Sequence, residues 1–109
     1  MDKVKVIEAI KFLEECLIEG GVRISKIILF GSQTKGIAAE ESDIDIVIIS
    51  QDFRGKDIFQ RASLTKEAEI KATKRFMLPL DIITLTPEEW AEGNSLIVEF
   101  AKKGEVIYG

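Results

Sequence analysis

The run Ile44-Asp45-Ile46-Val47-Ile48-Ile49 constrains this chain more than any other stretch. Its β-branched residues favour a strand, and apolar side chains at odd and even positions alike require both faces of that strand to be covered. The run is therefore expected to be the central strand of a sheet. One residue breaks the pattern. A carboxylate in an apolar strand loses hydration without gaining packing, so Asp45 needs a reason to be there.

Around this strand the periodicity predicts the order α-β-β-α-β-α-β, a mixed α/β (α+β) sheet with helices packed on it. Lys3 to Glu19 is an amphipathic helix with Val6, Ile7, Ile10, Leu13 and Leu17 on one face. Gly20-Gly21 closes it, and Cys16 belongs on or beside the stripe as a small hydrophobe. Ile24 to Phe30 is a strand stopped by Gly31, Ser32 to Lys35 a short helical turn, Ile37 to Glu41 a loop, and Asp43 to Ser50 the central strand.

A polar turn from Gln51 to Lys56 leads to a long helix, Asp57 to Met77. Its apolar residues are Ile58, Phe59, Ala62, Leu64, Ala68, Ile70, Ala72 and Phe76, and Ser63 and Thr65 leave open whether it runs as one piece or two. Leu80 to Leu85 is a third strand with Pro79 at its mouth. Thr86-Pro87-Glu88-Glu89 opens a helix, with a threonine cap, proline in the first turn and acids at the positive end. The helical region reaches Lys103 with an interruption near Gly93-Asn94, and Glu105 to Tyr108 is a short closing strand. No repeat or linker divides the sequence, so residues 1–109 are expected to form a single domain.

Composition matters mostly for what it excludes. There is no histidine and one cysteine, which removes Ser-His-Asp and Cys-His catalysis and the usual zinc sites. Any metal must be a hard ion on oxygen ligands: magnesium, manganese or calcium. A formal net charge of −4 argues against direct DNA binding, which needs a basic face. Between Arg54 and Arg75 seven basic residues outnumber three acids, a local excess read as a solvated helix face. No apolar run approaches the roughly 20 residues of a membrane span, and the Met-Asp-Lys start lacks a signal peptide's apolar core. No membrane is expected, and the cytoplasm is the expected location.

The chemistry concentrates between Gly31 and Asp45. Side chains at i and i+2 of a strand project to one face about 7 Å apart, so Asp43 and Asp45 point together. Their repulsion and desolvation make a cation the natural relief. Such a pair can bridge two magnesium ions about 3.5–4 Å apart, the apparatus of phosphoryl and nucleotidyl transfer. Upstream, a strand ending in Gly31-Ser32 and opening into a helical turn aims backbone N–H groups and a hydroxyl at one point, which suits a phosphate. Either feature alone is compatible with a plain turn and a capping aspartate. Gly31 to Gly36 also matches the first part of a P-loop, but Ile37-Ala38 stands where Lys and Ser or Thr are required, and that motif fails. Asp81, at the head of the Leu80–Leu85 strand, joins the set if that strand lies beside the central one.

Gly31-Ser32, ten residues, then Asp43-Ile44-Asp45 resembles the GS-x10-DxD signature of the DNA polymerase β-like nucleotidyltransferase superfamily, which includes kanamycin nucleotidyltransferase. The short length, Ser42 before the aspartates and Asp81 in an apolar strand resemble its minimal nucleotidyltransferase domains. The resemblance covers Ile24 to Leu85 and extends to the closing residues from Gly104 to Gly109. It implies a polymerase β palm-like fold and magnesium-dependent transfer of a nucleoside monophosphate to an acceptor hydroxyl, with ATP as the expected donor. It also implies Asp43, Asp45 and Asp81 as catalytic residues holding two Mg2+ ions, with Mn2+ as a substitute, and Asp81 as the base. Gly31 and Ser32 would bind the β,γ-phosphates, with Gln33, Lys35 and Ser42 beside them. The family often carries arginine where this chain has Gln33, which leaves Lys35 as the nearest cation.

Minimal members of the superfamily are often MntA-type antitoxins paired with a helical HEPN protein. They silence it by binding and, in some systems, by transferring AMP to one of its tyrosines. The resemblance implies such a HEPN partner. The alternative is a non-catalytic antitoxin that neutralises a HEPN ribonuclease by complex formation alone. A domain of this size leaves the active edge open, so a homo-oligomer that completes it is compatible with the sequence.

Overall fold

The computed structural model describes residues 3–30, 44–93 and 95–108. Four strands, β1 (Lys26–Phe30), β2 (Ile44–Ile49), β3 (Leu80–Leu85) and β4 (Glu105–Tyr108), form a mixed sheet in the order β3-β2-β1-β4. The pairings of β1 with β2 and with β4 are antiparallel, and β2 and β3 are parallel. The helices are α1 (Lys3–Glu19), α2 (Ile58–Phe76), α3 (Pro87–Glu92) and α4 (Leu96–Lys102), with a 3-10 turn at Gln51–Phe53. The last helical region splits where expected, at Gly93, whose φ of 65° caps α3.

β2 is central, and its alternation divides the core in two. Ile44, Ile46 and Ile48 pack with Ile27, Leu29 and the inner sides of α1 and α2. Val47 and Ile49 point the other way, to Ile28, Phe30 and Ala101, with Trp90 of α3 and Ile97 of α4 packed over them. Fully burying each such side chain is worth roughly 1.5–3 kcal/mol, so the apolar positions of this one strand anchor the whole fold.

α1 meets the first cluster through Val6, Ala9, Ile10, Leu13 and Leu17. Ile7, expected on that stripe, is only half-buried, and Ala9 takes the place against the sheet. The change follows from the spacing, since positions 6, 9, 10, 13 and 17 run along one helical side and position 7 is rotated off it. Cys16 packs at the margin of this cluster, and burial pushes its thiol pKa up. β1 begins at Lys26 rather than Ile24, although the Ser25 amide already donates to the Ile49 carbonyl at 2.8 Å.

α2 departs from expectation more clearly. Its continuity is as expected, one long helix, and the alternative of two pieces falls. The Ser63 and Thr65 hydroxyls donate back to the carbonyls of Phe59 and Ala62, so their polarity is absorbed without a break. Asp57 is not its first turn but its N-cap, in a capping box with Gln60. Nor do its apolar residues form one buried stripe. Ala68 and Ala72 are buried with Thr65, while Ile58, Phe59 and Ile70 face solvent.

Part of the local basic excess is paired within the fold. Arg54 binds Glu88 with two contacts of 2.6 and 2.7 Å, and Arg61 binds Glu89 at 2.8 Å. Both acids open α3, so these arginines tie the start of α2 to the start of α3. Glu89 also closes a capping box with Thr86, and despite partial burial its pKa is lowered by the Thr86 amide and by Arg61. Among the described residues no helix is long and apolar enough to cross a membrane.

Gly104 lies where α4 turns into β4, and a Cβ there would stand 2.4 Å from the Leu29 carbonyl oxygen. Backbone cannot yield as a flexible side chain can. Gly104→Ala is expected to lower stability by about 2–3 kcal/mol in urea denaturation. Gly20→Ala, whose Cβ would meet nothing nearer than 3.4 Å, is the control and should stay within about 1 kcal/mol of wild type.

At the far end of β2, Asp52 accepts from the Arg23 guanidinium and from the Arg23 amide, both at 2.7 Å. These bonds hold its carboxyl below the usual range. A depressed carboxylate pKa stabilises the fold at neutral pH, and that contribution is lost as pH falls through the folded value. Asp52→Asn is therefore expected to lower Tm at neutral pH and to flatten the acid limb of Tm against pH, the two proteins converging below the carboxylate range.

Candidate active site

β2 and β3 run in the same direction because α2 carries the chain back across the sheet between them; a hairpin would have made them antiparallel. Their register sets Asp45 directly opposite Asp81. Neighbouring strands lie about 4.8 Å apart, and register partners project to the same face. Asp45 alternates with Val47 and Ile49, and Asp81 with Ile83 and Leu85, so both carboxylates leave the sheet on the side of α3 and α4. α3 begins just beyond the far end of β3, and Asp81 at its near end is exposed, while Asp45 is half-buried. Phe30, the last residue of β1, is the register partner of Asp45 on the other side. The end of β1 and the heads of β2 and β3 thus meet at one edge.

Of the residues singled out in the sequence, the structure brings together Asp45 and Asp81. Gly31, Ser32, Gln33, Lys35, Ser42 and Asp43 lie outside the described residues. The site also has a neighbour that sequence reasoning missed. Glu69 of α2 is half-buried, and its pKa is raised by burial first and then by the charge of Asp81. A signal existed for it. Thr65, Glu69, Ala72 and Phe76 recur at helical spacing on the sheet-facing side of α2, and an acid on such a stripe is out of place.

Taken as a pair, the two carboxylates repel each other. An apolar residue at position 45 would have contributed about 2 kcal/mol by burial, and like charges directly opposite across a strand pair cost about 0.2–1 kcal/mol more. The donor chemistry fits a magnesium-class cation, since both groups offer hard carboxylate oxygens from rigid strands. Among the described residues no group of three such side chains converges on one point, and Asp43, expected with Asp45 to bridge the metals, lies outside them.

Neutralising one member tests this electrostatic picture. A raised Glu69 pKa means that ionising Glu69 destabilises the fold at neutral pH, a cost that disappears as pH falls through the folded value. Asp81→Asn is expected to bring the Glu69 titration down, followed by its carboxyl NMR shift. It should raise the neutral-pH stability of the metal-free protein by less than about 1 kcal/mol, with no difference at acid pH.

Known proteins supply the context. The family profile described as "Nucleotidyltransferase domain" matches residues 5–107. A provisionally named protein adenylyltransferase of Methanocaldococcus jannaschii is 28% identical over 100 residues, which span 90% of this chain and 67% of the relative. A crystal structure of a provisionally assigned nucleotidyltransferase from Sulfolobus solfataricus superposes with a TM-score of 0.61 at 21% identity, over 83% of this chain and 75% of the other. A toxin–antitoxin crystal structure with AMP-PNP gives 0.63 at 20% identity, over 100% and 74% of the two chains. A mutant of the MntA–HpeT toxin–antitoxin gives 0.60 at 20% identity with the same coverage. At such identities these structures establish a shared fold. With the profile matching residues 5–107 and the fold held in common with these structures, this chain belongs to the nucleotidyltransferase domain family.

Proposed function

We propose that this chain is a magnesium-dependent nucleotidyltransferase, a single cytoplasmic domain that moves AMP from ATP to a hydroxyl of a HEPN partner as the antitoxin of a toxin–antitoxin pair. The observation that carries the reading is the in-register pairing of Asp45 with Asp81 on adjacent parallel strands. Asp43, Asp45 and Asp81 would hold two Mg2+ ions, which supply charge neutralisation at the triphosphate and activation of the attacking oxygen. Asp81 stands exposed at the head of the edge strand, where an acceptor can reach it, and takes the acceptor's proton as general base. The new bond joins the acceptor oxygen to the α-phosphorus. The bond from the α-phosphorus to the bridging oxygen breaks, and pyrophosphate leaves.

Gly31 and Ser32 hold the β,γ-phosphates through backbone N–H groups and a hydroxyl, and the missing side chain at Gly31 lets the phosphate come close. Gln33, Lys35 and Ser42 complete that binding region. Support for the donor and acceptor class comes from the relatives. One solved toxin–antitoxin contains AMP-PNP, and the M. jannaschii relative is named for adenylyl transfer to protein. The MntA–HpeT mutant carries two Asp-to-Glu changes two positions apart, the same spacing as Asp43 and Asp45.

A second reading, neutralisation by binding alone, is favoured by Gln33 where the family often carries arginine. Two measurements decide between them. Calorimetric titration with ATP and magnesium should show binding by wild type that is lost in the Asp43→Ala plus Asp45→Ala double variant; equal binding by both would sink the site. Transfer of labelled AMP to the co-expressed HEPN protein is expected to fall about a hundredfold or more in Asp45→Ala or Asp81→Ala, the several kcal/mol such charge stabilisation supplies. Full neutralisation of the ribonuclease by the triple-aspartate variant would favour binding alone.

A further inference from the structure

β1 ends at Phe30, and the residues that meet it there come from the opposite end of the chain. Leu29 pairs with Glu105 of β4, which sets Gly104 beside Phe30. A Cβ at Gly104 would stand 3.0 Å from the Phe30 Cβ. Phe30 is also the register partner of Asp45. Neighbouring strands lie about 4.8 Å apart, so Asp45, Phe30 and Gly104 together span about 10 Å. α4 delivers its C-terminus to this edge. Ala101 packs with Phe30, Val47 and Ile49 on the side from which Asp45 and Asp81 project. Lys102 and Lys103 stand between that anchor and Gly104.

Both lysines are exposed, and the fold engages them lightly. The Lys102 ammonium lies 6.0 Å from the Trp90 ring centroid. That is the outer limit of a cation–π contact, worth about 0.5–1 kcal/mol at an exposed site, so Lys102 leans towards α3 without being held there. Lys103 has no ion pair with a described residue. Lys3, which reaches the same end of β4, is engaged by Glu105 at 2.7 Å. Arg23, Arg54 and Arg61 are bound to carboxylates near the other end of β2 and β3. Lysines in a last turn also complement the helix dipole. That role is met on any helix, and it does not call for a C-terminus packed against the residue before Gly31.

We propose that Lys102 and Lys103 are further nucleotide-contacting residues, which hold the β,γ-phosphates and supply the positive charge that Gln33 does not. The inference rests on reading the Gly31–Ser32 turn and the three aspartates as a triphosphate site. Two magnesium ions that are already shared among three aspartates leave much of a triphosphate's charge unbalanced. Gly31 directly follows Phe30, so phosphates held at Gly31 and Ser32 lie beside the end of α4. An ammonium on a flexible stem suits such a ligand, because it follows the phosphate as a point charge and needs no fixed geometry. The same charges remain on pyrophosphate as its bond to the α-phosphorus breaks.

Calorimetric titration with magnesium and either ATP or AMP tests this. Lys102→Ala plus Lys103→Ala is expected to weaken ATP binding about tenfold, with unchanged far-UV circular dichroism. AMP, which lacks the β,γ-phosphates, should bind wild type and this variant alike. Lys102→Arg plus Lys103→Arg should keep the affinity for ATP. So should Lys74→Ala, an exposed lysine of α2, the helix on the opposite face. An alanine variant that binds ATP as wild type does, an equal loss in Lys74→Ala, or an equal loss for AMP overturns the proposal. A wild type that binds no ATP overturns the triphosphate site and this proposal together. ATP binding that Asp43→Ala plus Asp45→Ala abolishes and the alanine variant keeps overturns this proposal alone.

Discussion

β2 is hydrogen-bonded along both edges and buried on both faces, and the rest of the molecule is arranged to keep it so. A strand held on four sides cannot slip. Moving it by one residue would carry Ile44, Ile46 and Ile48 away from α1 and α2 and drive Asp45 into the larger core. Every step of that slip exchanges apolar burial for a desolvated charge, so the register is specified by several kcal/mol rather than by any single contact. Asp45 gains a defined position as a result, although it contributes nothing to the packing that defines it.

The same register turns an unfavourable residue into half of a site. α2 returns the chain so that β3 runs parallel to β2, and the pairing sets Asp81 against Asp45. Two carboxylates so placed repel, and Asp81 helps raise the pKa of Glu69 on the neighbouring helix. The two faces of the sheet divide the work. The face under α1 and α2 holds the larger cluster, while the face under the short helices α3 and α4 holds a smaller one and ends at the carboxylates.

Charges elsewhere serve the architecture. Arg54 and Arg61 reach from the start of α2 to Glu88 and Glu89, so the crossover helix and the short helix after β3 are fastened together where α3 has no buried residue of its own. Arg23 fastens Asp52 after the far end of β2.

Much of this is legible in the amino-acid order alone. Periodicity places the strands and helices, the absent histidine narrows the catalytic groups to carboxylates, and the Ile44–Ile49 run requires a central strand because apolar residues of both parities have to be buried. What stays illegible has physical reasons. Propensity leaves open a break in α2 at Ser63 and Thr65, but their hydroxyls bond back to the helix and it continues. Hydropathy groups Ile58, Phe59 and Ile70 with Ala68 and Ala72, because it does not say which side of a helix meets the sheet. Glu69 hides on the buried stripe of the same helix for the same reason. By itself the sequence determined that Asp45 would stand in a strand buried on both faces, because no other arrangement removes those isoleucines from water. Only the tertiary structure decided which carboxylate it would meet, because the parallel pairing and register of β3 depend on how α2 packs across the sheet, and local sequence does not encode that distance.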